Sequence, residues 1–274
     1  MKAVHGEGNT VSRGVLVTGA SRGVGAEVAK AFARAGDRVV LHCRGAVDKA
    51  HAVLAELPGD GHAVVSGDLG DPAGIPLVVE ESVQALGRID VLVNNAALFV
   101  DEPVAGSRRI GHPLLETSYD DWVAAWRRTL AVNLEGAAHL TWCVARQMLD
   151  VPPADGVKTG AIVNVGSRGA YRGEPDVPAY GASKAGLHAF GQSMAVALAP
   201  HDITVTSIAP GFIATDMAAQ GLNGPGGDAI RAQSPYNRVA TAAEVAAAVH
   251  WLASPEATWS TGTILDFNGA SYLR

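Results

Sequence analysis

With 274 residues, 48% of them hydrophobic and only 5% aromatic, the chain can bury a large core built mainly from alanine, valine and leucine. A formal net charge of −6 excludes a general basic field for nucleic acid or an anionic membrane surface. No run reaches the ~18 apolar residues a membrane helix needs, and the spacing of the two cysteines, Cys43 and Cys143, suggests neither a metal site nor a disulfide framework.

A soluble cytoplasmic protein with buried thiols is therefore expected, with residues 1–12 as a flexible arm and 13–274 as a single domain. Along the chain, short β-branched runs alternate with longer helical patterns. Residues 15–18 read as a strand, 25–35 as a helix, 38–43 as a strand, and 47–57 as a helix ended by Pro58-Gly59. The rhythm repeats with strand 63–66, helix 75–86, strand 91–94 and a long helix over 120–148. Three more strands, 161–165, 204–208 and 263–267, are separated by helices 178–198 and 242–253. Continuous apolar strands joined through helices predict an α/β fold, a doubly wound parallel sheet of about seven strands with helices on both faces.

The first motif, TGASRGVG at residues 18–25, falls where the first strand hands over to the first helix. Gly19, Gly23 and Gly25, with Ser21 and Val24 between them, allow a tight turn. They let backbone approach a pyrophosphate at a helix N-terminus, whose free N–H groups favour anions. Such a turn can also be purely structural. The end of the second strand, LHCRG, offers no acid for ribose hydroxyls. Arg22 and Arg44 could instead clamp a 2′-phosphate, because a guanidinium matches phosphate geometry, which favours NADP(H) over NAD(H). Either arginine could equally be a solvated surface residue. Asp68-Leu69 after the third strand and NNAA, Asn94 to Ala97, at the end of the fourth suit passage of a ribose and adenine across the strand ends. The competing reading of Asn95 is a turn residue bonded to backbone.

In PAYGASKAGLHAFGQSMAVAL, residues 178–198, Tyr180 and Lys184 are four apart and share one helix face. An ammonium near a phenol that ordinarily titrates near ~10 makes a proton donor usable near neutral pH. Ser167, thirteen residues before Tyr180 at a strand end, can hydrogen-bond the same substrate carbonyl, or simply cap a loop. Asn133 in LAVNLEG is a poor helix former unless something uses its amide. A buried water there could resupply protons to Lys184, or the residue could merely bend the helix.

Together TGASRGVG, NNAA, the asparagine of VNLEG, the serine before the tyrosine, YGASK and APGFIATDM at 209–217 make the chain similar to the short-chain dehydrogenase/reductase family, from about residue 14 to TGTILDFNGA. The resemblance implies a Rossmann fold with strand order 3-2-1-4-5-6-7 and a catalytic tetrad at Asn133, Ser167, Tyr180 and Lys184. It also implies that Tyr180 and Lys184 reach the cofactor, that Asn95 and Ala96 line it, and that Pro210, Gly211, Ile213 (through its backbone) and Thr215 flank the nicotinamide. Homotetramers or homodimers assembled through the long helices are implied as well.

Within the family the motifs look most like those of 3-oxoacyl-carrier-protein reductases. The expected activity is that of an NADPH-dependent carbonyl reductase, reversible as an alcohol dehydrogenase, acting on a small-molecule substrate with no metal. Departures from that group are the long 98–118 connection, an enlarged 149–159 segment with Asp150 and Asp155, and FNGAS near the C-terminus. Alternatives are a pteridine reductase-like enzyme, favoured by LHCRG but not by Gly23, and a non-enzymatic NADP(H)-binding sensor. Phe99, Arg108, Arg109, His112, Tyr171 and Tyr236 are candidates for shaping the substrate pocket, or ordinary loop residues.

Overall fold

The apolar runs become parallel strands. A computed structural model describes residues 12–99, 111–153 and 160–274, so most of the expected N-terminal arm, Arg108, Arg109 and Asp155 lie outside the described residues. In chain order the elements are β1 (Gly14–Thr18), α1 (Gly23–Arg34), β2 (Arg38–Cys43), α2 (Val47–Leu54), β3 (Ala63–Ser66), α3 (Ile75–Leu86), β4 (Val91–Asn94) and α4 (Tyr119–Leu130). Then come α5 (Ala137–Asp150), β5 (Gly160–Val165), α6 (Pro178–Leu198), β6 (Ile203–Pro210), β7 (Ile213–Ala214), α7 (Asp216–Asn223), α8 (Gly227–Arg231), β8 (Ala240–Thr241), α9 (Ala242–Leu252) and β9 (Ile264–Phe267).

Seven strands pair in the order β3-β2-β1-β4-β5-β6-β9, and β7 pairs with β8 separately. All neighbours in the main sheet are parallel, as crossover helices require. Side-chain alternation explains why the strands are apolar throughout. Val15 and Val17 of β1 pack towards α1 and α9, with Phe32, Val245 and Val249. Leu16 between them packs on the other face with Ile75, Leu140 and Ala195 of α3, α5 and α6. Each face is thus sealed by helices.

The long helix expected over 120–148 runs from Tyr119 to Asp150, but it is not uniform. Ala131–Gly136 forms a π-helical turn between α4 and α5. One wider turn of this kind breaks the 3.6-residue register locally and is frequent at functional sites. Here Asn133 occupies it, 1% exposed. The helices α7 and α8 and the two-residue strands β7 and β8 were not anticipated, because glycine-rich GLNGPGG has no periodic apolar pattern. The thiols also differ from expectation: both are free, but only Cys43 is buried, while Cys143 is half-buried.

Candidate active site

The carboxyl ends of β1 to β6 border one cleft of about 450 Å³. It lies where the strand order reverses between β1 and β4, the place an open parallel sheet leaves room for a ligand. At one end is the glycine turn. Gly19 and Gly23 take φ of 66° and 58°, in the left-handed region, and a Cβ on Gly25 would stand 2.3 Å from the Gly19 carbonyl oxygen. Asn95 latches this turn, donating from Nδ2 to the Thr18 carbonyl at 2.8 Å and the Gly19 carbonyl at 3.3 Å. Thr18 Oγ1 in return accepts the N–H groups of Asn95 and Ala96, each at 2.9 Å. The Asn95 side chain therefore shapes the turn from below. No side chain of the N-cap residue Arg22 bonds the first turn of α1, which leaves N–H donors suited to an anion.

Arg22 and Arg44 stand exposed at the rim of the same cleft. Among the described residues, neither side chain makes a hydrogen bond or ion pair, so both guanidiniums are open to a phosphate. Asp68 also borders the cleft, with Oδ1 accepting the Gly70 N–H at 2.8 Å. His42 and Gly67, which sequence reasoning passed over, complete this end: His42 Nε2 lies 3.0 Å from the Gly67 carbonyl, and burial pushes the imidazole down to about 4. A Cβ on Gly67 would come within 2.4 Å of Val78 Cγ2, so the end of β3 passes close against α3 there.

At the other end, α6 opens with Pro178 in its first turn, and Tyr180 and Lys184 both reach the cleft. Lys184 is 2% exposed. Its ammonium donates to the Val165 carbonyl at 2.7 Å and lies 5.8 Å from the centre of the Tyr180 ring. Burial lowers Lys184 to about 8. Burial raises Tyr180 to about 12, while the hydrogen bond with Ser167 pulls it down and the Glu174 charge adds to the rise. The ammonium is engaged with the strand end and faces the ring, and desolvation dominates the hydroxyl.

Ser167 follows β5 and caps the short turn after it, with Oγ accepting the Gly169 N–H at 3.0 Å. The Ser167 hydroxyl is also within hydrogen-bonding reach of the Tyr180 hydroxyl. The loop-capping reading of Ser167 holds, and the residue also lines the cleft beside Tyr180.

Asn133 stands behind the cleft wall rather than in it. Its Oδ1 accepts the Leu98 N–H at 2.7 Å, and its Nδ2 donates to the Leu98 carbonyl at 2.9 Å and to Ser183 Oγ at 3.1 Å. Something does use the amide, as its helical position anticipates. Both amide hydrogens are engaged with protein, so a proton-relay water held by that side chain is not what the geometry favours.

Every expected cofactor residue borders the cleft: Gly19, Ser21, Arg22, Gly23, Val24, Gly25, Arg44, Asp68, Leu69, Asn95, Ala96, Tyr180, Lys184, Pro210, Gly211, Ile213 and Thr215. Leu98, Val132 and Gly166 were missed, as apolar residues without a chemical signature. Among the pocket candidates, Phe99 meets the Tyr180 ring edge-on at 4.9 Å. His112, Tyr171 and Tyr236 do not border the cleft. His112 is buried, Tyr171 stacks on His188 at 5.3 Å, and Tyr236 is 75% exposed.

Comparison with known proteins agrees with this geometry. A family model described as enoyl-(acyl carrier protein) reductase matches residues 19–269. The chain is 34% identical over 258 residues to the 3-oxoacyl-[acyl-carrier-protein] reductase FabG of Escherichia coli (strain K12), covering 94% of this chain and 96% of that protein. It is 32% identical to FabG of Vibrio cholerae, covering 97% and 99%. Among solved structures, a short chain dehydrogenase from Burkholderia cenocepacia J2315 in complex with NADP superposes with a TM-score of 0.80 at 32% identity, over 94% of this chain and 97% of that one. A dehydrogenase/reductase from Sinorhizobium meliloti 1021 gives 0.81 at 30%, over 95% of each. The chain belongs to the short-chain dehydrogenase/reductase family and is an oxidoreductase of that type.

Proposed function

We propose that this protein is an NADPH-dependent carbonyl reductase, reversible as an alcohol dehydrogenase, contained in one Rossmann-type domain over residues 13–274. The observation that carries the reading is the meeting of Ser167, Tyr180 and Lys184 in the same cleft as the glycine turn and two unpaired arginines. The residues fit a 2′-phosphorylated dinucleotide. Positive-φ glycines and uncapped N–H groups suit its pyrophosphate, and Arg22 with Arg44 suit the extra phosphate. Asp68 and Leu69 would flank the adenine side, Asn95 and Ala96 the ribose path, and Pro210, Gly211, Ile213 and Thr215 the nicotinamide. When bound, that group supplies the hydride.

The protein's own residues manage the oxygen. Ser167 and Tyr180 donate to the substrate carbonyl, so that negative charge developing there is met by two positioned donors. Tyr180 then gives up its proton, and Lys184, buried and cationic below about pH 8, stabilises the resulting phenolate. Asn133 fixes the wall at Leu98.

The substrate class we favour is the 3-oxoacyl thioester, after the names of the relatives. The two free thiols fit the cytoplasm, and no helix among the described residues is long and apolar enough to cross a membrane. Trp142 and Val196, exposed on α5 and α6, fit a homotetramer or homodimer built through those helices.

Loss of NADPH absorbance with 3-oxoacyl thioesters and simple ketones tests the reading. Turnover on a member of the panel supports it. NADPH binding without oxidation across the panel would favour a sensor instead.

A further inference from the structure

The segment between β4 and α4 leaves and returns beside Tyr180. It leaves at Leu98, held by Asn133, and Phe99 touches the Tyr180 ring. It returns at Gly111 and His112, which dock on the start of α6. The His112 N–H donates to the Asp176 carbonyl at 2.8 Å. Gly111 has φ of 124°, and a Cβ there would stand 2.3 Å from the Asp176 carbonyl oxygen, so the docking is tight enough to demand glycine.

The His112 side chain completes the joint. Its Nε2 accepts the N–H of Ala179 at 3.2 Å, in a buried contact. Ala179 is the second residue of α6 and the immediate neighbour of Tyr180. A helix leaves its first N–H groups unpartnered. At this end Pro178 has none, the N–H groups of Tyr180 and Gly181 reach the Val177 carbonyl, and no side chain from the N-cap residue helps. The Ala179 N–H is thus the donor left over, and His112 takes it from 67 residues away in sequence. The ring is itself set by Trp122 of α4, edge-on at 5.8 Å.

We propose that His112 is a positioning residue, which caps the N-terminus of α6 through neutral Nε2 and thereby sets the Tyr180 hydroxyl opposite Ser167. The ring proton then sits on Nδ1, because Nε2 is the acceptor. Ala179 precedes Tyr180 directly, so losing the cap on its N–H lets the first turn, and Tyr180 with it, shift relative to Ser167. A displacement of that kind lowers the chemical step far more than it lowers binding.

The test rests on the carbonyl-reductase reading and compares three variants on one substrate. His112→Phe keeps an aromatic ring against Trp122 and removes the acceptor. His112→Gln places an amide oxygen near the position of Nε2. Tyr180→Phe serves as the control for the reading itself. The expected result is kcat lowered about tenfold in His112→Phe, with NADPH affinity by fluorescence titration unchanged, and most of kcat restored in His112→Gln. Unchanged NADPH affinity certifies that His112→Phe is folded. Wild-type kcat in His112→Phe, or a loss in His112→Gln as large as in His112→Phe, overturns the positioning role while leaving the reading intact. Wild-type turnover in Tyr180→Phe overturns the reading.

Discussion

Asn133 pairs with both peptide groups of Leu98, accepting its N–H at 2.7 Å and donating to its carbonyl at 2.9 Å. A helical residue thus holds a loop strand by a two-point amide bridge, and the π-helical turn is what swings the side chain inward to do so. Asn133→Leu would leave these partners unmatched, at ~1–3 kcal/mol for each buried group. We expect a thermal midpoint lowered by several degrees, on the order of 2–4 °C per kcal/mol for a chain of this size, together with reduced kcat. Calorimetry and turnover of the same preparation check this, and a variant normal in both contradicts the bridge.

On the proposed reading, Arg22 and Arg44 carry the choice of dinucleotide. Each offers a charge-assisted contact worth ~1.5–3 kcal/mol. Arg44→Asp should raise the KM for NADPH by about tenfold to a hundredfold and leave that for NADH little changed. Steady-state comparison of the two cofactors decides it. A wild-type preference for NADH would remove the roles given to both arginines.

On the proposed mechanism, Lys184 sets the upper pH limit of reduction. Desolvation lowers its ammonium to about 8, so the cation is present below that pH and lost above it. The kcat/KM for carbonyl reduction, which reports ionisations of the free enzyme, should be level below about pH 8 and fall above it. A profile level to pH 10 contradicts this assignment.

His42 and His188 make the fold acid-sensitive. Both are 2% exposed, and burial holds each at about 4 against an ordinary value of 6.5. Among the described residues, neither ring nitrogen of His188 has a hydrogen-bond partner. Between pH 6.5 and 4 the unfolded chain binds protons that the fold refuses. Stability is therefore full above about 6.5 and falls with pH towards 4, by on the order of 3 kcal/mol per ring. His188→Phe should flatten that dependence in urea denaturation at pH 7 and pH 5. An unchanged slope would show that the imidazole is not the titrating group.

Much of this was legible in the chain because parallel strands buried on both faces must be apolar throughout, as β1 and β4 are. The helix 75–86 and the strands 38–43, 63–66 and 91–94 match the structure residue for residue. The glycine turn, Ser167, Tyr180 and Lys184 were legible because chemistry restricts those residue types. What failed depends on tertiary contact. The π-helical turn that carries the Asn133–Leu98 bridge leaves no mark in the apolar periodicity. The bond from the Lys184 ammonium to the Val165 carbonyl is likewise something a four-residue spacing cannot report. His112 looked like a loop residue because its partner lies across the fold on α6.

The most direct test of the account is turnover of Tyr180→Phe on a confirmed carbonyl substrate. Phenylalanine keeps the ring beside Phe99 and removes only the hydroxyl that Ser167 bonds. NADPH affinity close to wild type with kcat lowered at least about a hundredfold is predicted, since positioned proton donors supply ~10²–10⁴ in rate. Wild-type turnover in this variant would contradict Tyr180 as the proton donor.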